Sequence, residues 1–190
     1  MVQCLIQHGA AIEGIGNDGS PLGTALGFGY RRSAEILMEL GAKHDNILYA
    51  AGLGKLDFVK VCFDEKGNLK NGCADFYKHP VRTEMGRYSW PPPSGKDPLK
   101  IAFIYACLHG RNEVVQFLID QGIDVNTSVS YHQTGLHFAA QIGYFDTVKL
   151  LLENGADPGV VETQMNQTPI QWAEEGDEQE IAEYLRSKLG

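Results

Sequence analysis

The run "TGLHFAAQIGYFDTVKLLLENGADP", Thr134 to Pro158, decides how this chain is read. Leu136, Ala139 and Ala140 fall at i, i+3 and i+4, a narrow small-residue face suited to close helix approach. Gly143 then permits a sharp turn. Beyond it Val148, Leu151 and Leu152 form one stripe, widened by Leu150, and Gly155 stands where a helix C-terminus favours a left-handed residue. The pattern specifies two short antiparallel helices. Neither buries its apolar face alone, so the pair must stack on others like it.

Two other stretches echo this one: "SPLGTALGFGYRRSAEILMELGAKH" from Ser20 and "IAFIYACLHGRNEVVQFLIDQGIDV" from Ile101. The glycines expected between paired helices are Gly29, Gly54, Gly110 and Gly143, separated by 25, 56 and 33 residues. Taking the last as the repeat, the first interval is 8 short and the second 23 too long. The excess contains "GRYSWPPPSGKDP", Gly86 to Pro98, whose three consecutive prolines cannot continue a helix.

Thr134-Gly135-Leu136-His137, then Ala139-Ala140 and Gly143, followed by Val148, Leu150-Leu151-Leu152-Glu153-Asn154-Gly155-Ala156-Asp157, resembles the ankyrin repeat. "SPL" at 20–22, "TPI" at 168–170 and "FLIDQGIDVN" at 117–126 extend the resemblance over about four fifths of the chain. Gly23 and Gly135 depart from its pattern, standing where His and Pro are usual, and residues 46–67 lack a front-end finger. The implied fold is an all-α solenoid in one domain, residues 1–190. It has a partial repeat at 1–14, repeats at about 17–45, 46–67, 98–126, 127–158 and 162–190, and an irregular insertion at about 68–97. A lone second helix at the start fits a fragment of a longer protein or a minimal cap, and the fragment is preferred. The acidic run Glu174, Glu175, Asp177, Glu178, Glu180 and Glu183 reads as the solvated face of a terminal repeat.

Composition narrows the function. A charge of −8 opposes the basic face that nucleic-acid binding needs. No run of 18 apolar residues is present to cross a bilayer, and the start lacks a cationic leader. The four cysteines show no metal-ligand spacing, and the three within helix-like segments read as small buried thiols, which suits a reducing cytoplasm. None of the six histidines belongs to an HExxH motif, and "GFG" at 27–29 ends a helix instead of opening one, unlike a phosphate loop. Cys107 aligns with the tight helical face and is expected to be buried. No catalytic, cofactor or metal site is assigned.

The resemblance implies a concave face made by fingers and first helices, and binding of a protein partner there. The register places Phe28, Leu53, His109, Tyr131, His132, Gln141 and Ile142 on that face, with Asp18, Lys100, Leu108 and Gln133 beside them. It gives His137 a structural role, bonding neighbouring backbone at the turn. The insertion must emerge on the finger side. It carries Phe76, Tyr77, Tyr88 and Trp90, with four cations against two anions between residues 71 and 96. Packing over the gap left by a missing first finger, recognition through Tyr88 and Trp90, and disorder all remain open for it. The expected protein is a monomeric, cytoplasmic, non-catalytic interaction module. The alternative is the regulatory or substrate-recruiting part of a larger enzyme whose catalytic segment lies elsewhere.

Overall fold

The computed structural model describes residues 2–14, 20–74 and 97–189. These residues form helix pairs and, apart from two isolated antiparallel bridges, no β-pairing. First helices are α2 (Ser20–Gly27), α4 (Ile47–Leu53), α6 (Pro98–Leu108), α8 (Gly135–Ile142) and α10 (Pro169–Glu175). Second helices are α3 (Arg31–Glu39), α5 (Leu56–Val61), α7 (Asn112–Asp120), α9 (Phe145–Glu153) and α11 (Gln179–Arg186). α1 (Val2–Gln7) packs on α3 and buries none of its residues fully.

The ends of these helices follow local chemistry. Asn46 caps α4 by accepting from the Tyr49 amide at 3.0 Å, and Asp97 caps α6 by accepting from Leu99 at 3.0 Å. Pro98 fills the first turn of α6, where its missing N–H has no consequence. Thr134 and His137 cap the start of α8 reciprocally, as Thr168 and Gln171 do for α10. The four turn glycines, Gly29, Gly54, Gly110 and Gly143, all have φ between 64° and 88°. In the last pair Asp177, at φ 61°, takes that conformation, which a short polar side chain tolerates better than most.

α4 packs directly on α6, so the stack closes across the insertion without a gap. α6 is its centre: every residue from Ile101 to Leu108 is buried, Phe103 and Tyr105 among the largest. Leu136 and Ala139 of α8 and Val148 and Leu151 of α9 are likewise inside, as their spacing requires.

The insertion starts with structure that its sequence was not read to contain. Phe63 pairs with Leu69 across a turn whose Asp64 carboxylate accepts from the Lys66 and Asn68 amides at 2.9 and 2.8 Å. The chain then runs to the start of α4, where the Ile47 amide donates to the Cys73 carbonyl at 2.9 Å. Leu69 and Cys73 pack on the core at the place where the first finger is missing. Phe76, Tyr77, Tyr88 and Trp90 lie outside the described residues, as do the prolines.

Leu151 is fully buried and Glu153, two residues on, is exposed. Leu151→Ala should therefore cost about 2–5 kcal/mol, whereas Glu153→Ala should stay within about 0.5 kcal/mol. Urea melts of the two variants check this, and equal losses would show the helix rotated from its assigned face.

Candidate functional site

Two fingers overhang the first helices. In one, Ser128 pairs with Thr134, and Tyr131 and His132 at its tip both have φ 59°. A left-handed conformation at two bulky residues costs roughly 1 kcal/mol each and is characteristic of functional loops. The other finger is built around Glu162, a buried carboxylate that accepts from the amides of Gln164, Met165 and Gln167 at 2.7, 2.8 and 3.2 Å. The Thr163 amide donates to the Tyr131 carbonyl at 2.8 Å and ties the two fingers together.

Beneath them lies a groove of about 550 Å³. α2 contributes Phe28 at its end, α6 Leu108, and α8 Phe138, Gln141 and Ile142. The fingers add Tyr131 and Met165, and α10 adds Trp172 and Glu175. Phe28, Tyr131, Ile142 and Met165 are 42%, 52%, 37% and 63% exposed, so four large apolar side chains face solvent around one cleft. The Trp172 ring is held edge-on by His137 and Phe138, with centroids 5.2 and 5.4 Å away.

α2 reaches this groove because Gly52 of α4 has no side chain. A Cβ there would sit 3.1 Å from Leu26 and 3.5 Å from His109. His109 passes over it and its Nε2–H donates to the Leu26 carbonyl at 2.7 Å. The groove consequently joins residues from four helix pairs.

Phe28, Tyr131, Gln141 and Ile142 are brought together as the register expected. Leu53 is half-buried against the core and His132 is exposed at the finger tip, and neither lines the groove. His109 requires correction. It is 1% exposed, with its donor committed to Leu26, and so is not available to a partner. Tyr88 and Trp90 lie outside the described residues. Met165 and Trp172 were not singled out, and Glu175, read as part of a solvated acidic face, lines the groove. Their signal was the "TPI" start of α10, which fixes the register of the last pair as firmly as Thr134 fixes α8.

His137 does what its position implied. Its Nδ1 accepts from the Thr134 amide at 3.2 Å and its Nε2–H donates to the Gln167 carbonyl at 3.3 Å, holding the next finger. Burial pushes its pKa down. Burial likewise holds Cys107 protonated, and burial with a hydrogen bond to Cys73 pushes Cys62 up to about 12. Neither thiol is a nucleophile near neutrality. Among the described residues no three His, Cys, Asp or Glu side chains gather as metal ligands, and no helix is long and apolar enough to cross a membrane.

The family model "Ankyrin repeats (3 copies)" matches residues 46–162 and 103–190. This chain belongs to the ankyrin-repeat family. It is similar to the palmitoyltransferase AKR1 of Lachancea kluyveri, 43% identical over 61 residues, covering 32% of the chain and 8% of that protein. The putative E3 ubiquitin-protein ligase XBAT35 of Arabidopsis thaliana is 38% identical over 96 residues, 49% of the chain and 20% of the ligase. The putative ankyrin repeat protein L371 of Acanthamoeba polyphaga mimivirus is 24% identical over 169 residues, 87% of the chain and 21% of the viral protein. The chain thus spans between 8% and 21% of these relatives' own length.

Within the ankyrin stack His109 is a stability determinant with a pH signature. Burial, opposed by the Leu26 bond and reinforced by Arg111 and Arg31, pushes its pKa down to about 4. A base with a depressed folded pKa binds its proton more readily when unfolded. Its stabilising contribution is therefore intact above about pH 6.5, the unfolded value, and is lost as pH falls toward 4. Between pH 6.5 and 5 the loss should be on the order of 2 kcal/mol. His109→Gln, which keeps a donor for Leu26, should flatten this dependence in urea melts. An unchanged pH slope would contradict the assignment.

Proposed function

We propose that this chain is a non-catalytic module of one domain that binds a protein partner in the concave groove beneath its two fingers. The observation that carries this reading is the convergence of Phe28, Tyr131, Ile142 and Met165, all exposed, on one cleft. Apolar side chains scattered singly over a surface need no explanation, but a shared groove rimmed by amides does. Gln133, Gln141 and Gln164 supply that rim and can pair with a partner's polar groups without bringing fixed charge into the interface. At about 550 Å³ the cleft has room for a few side chains of a partner. Its rigidity also favours binding, because the finger tips are held in place by Glu162, His137 and the Thr163–Tyr131 bond before any partner arrives. Operation as a monomer in the cytoplasm completes this reading.

A second reading rests on the relatives. Two of them are named as a palmitoyltransferase and a putative E3 ubiquitin-protein ligase, and the chain matches only a small part of each. On that reading the same groove recruits a substrate to a catalytic segment outside these residues. The binding surface is identical in the two cases, and the occupant is what distinguishes them.

Cross-linking capture from the source cell with the wild-type chain and the Ile142→Glu/Met165→Glu variant tests the groove. Met165 is 63% exposed, so its change should shift stability by no more than about 0.5 kcal/mol; Ile142 lies against Gly29, so a urea melt of the variant accompanies the capture to show that it is folded. A protein retained by the wild type and by the convex-side control Glu153→Arg, and lost from the groove variant, is the expected outcome. Equal capture by all three would place the interface elsewhere.

A further inference from the structure

Three features of the groove, taken together, specify the chemistry of its occupant. The first is charge. Among the described residues Glu175 is the one charged side chain lining the groove, and no lysine or arginine reaches it. Gln167 Nε2 donates to Glu175 Oε1 and fixes that carboxylate beside the cleft. Glu174 is paired with Arg186, whereas Glu175 has no cation among the described residues.

The second feature is the adjoining turn. The Glu178 carboxylate lies over Gly143, next to Ile142, and puts another negative charge at the same end of the groove. The third is the apolar floor. Leu108, Ile142 and Phe138 leave room for a large side chain beside the Trp172 ring.

Resting on the groove reading above, we propose that the occupant is a segment of a protein partner carrying a large apolar side chain next to a lysine or arginine. The apolar group fills the floor against Trp172. The cation faces Glu175, with Glu178 adding to the field. The −8 net charge of the chain draws such a segment in and repels acidic ones.

A displayed library of random 12-residue peptides selected on the intact chain tests this. Selected peptides should pair a Leu, Ile, Met or aromatic residue with a nearby Lys or Arg, and should lose binding to Ile142→Glu. By fluorescence polarisation Glu175→Gln should weaken them about threefold to fivefold, as for an exposed ion pair. That loss should vanish when the peptide's cation is replaced by Gln, and Glu175→Lys should weaken the cationic peptide further. Binders that need the groove but are acidic, or are indifferent to Glu175, would overturn this proposal and leave the groove reading standing. No binders, or binders indifferent to Ile142→Glu, would overturn both.

Discussion

The structure depends on one bond made over a missing side chain. His109 donates to the Leu26 carbonyl across Gly52, linking helices two units apart in the stack. A Cβ at 52 would already sit 3.1 Å from a Leu26 methyl, and a side chain as large as leucine would meet both Leu26 and His109. The cost of this arrangement is a histidine buried neutral, with its Nδ1 lacking a partner among the described residues. Its consequence is a groove that spans four helix pairs instead of two neighbours. Arg111 reinforces the same joint, its Nε donating to the Gly52 carbonyl at 2.9 Å.

A second set of bonds shapes the opposite wall. Glu162 gathers three amides of its finger, and His137 reaches across from the preceding unit to hold that finger by Gln167. The family's usual histidine contact therefore carries a further duty here: it sets the position of Met165 and, through Gln167, of Glu175. Packing and function meet in these few residues. Ankyrin stacks transmit order only between neighbours, and the Leu26–His109 bond is an exception that stiffens the concave side.

Much of the stack was legible because its signals are local and periodic. The spacing of Leu136, Ala139 and Ala140, the stripe through Leu151, and the turn glycines each specify a helix face or end without reference to the rest of the chain. Phe28, Tyr131, Gln141 and Ile142 followed from that register. His109 was misplaced because repeat register assigns a direction, while its actual direction is set by Gly52 in another unit. Trp172 and Glu175 were passed over because the acidic run around them reads as a solvated end, whereas both line the groove and Gln167 holds the Glu175 carboxylate there. The Asp64–Asn68 turn was missed for a different reason. It sits at the edge of the proline-containing segment, where the break in period drew the reading away from the turn chemistry of Asp64 and Gly67-Asn68.

The central claim is that the first and fourth full helix pairs touch on the concave side. A Cβ built on Gly29 would lie 3.5 Å from the Ile142 Cδ1 methyl and 3.6 Å from that of Leu108. A methyl-resolved NOESY spectrum of the free protein measures this contact directly. Cross-peaks from the Gly29 α-protons to both methyls, absent in Gly52→Leu, are the result this account predicts. Their absence from the wild-type spectrum, in a protein whose Leu151 and Ala139 contacts are intact, would contradict it.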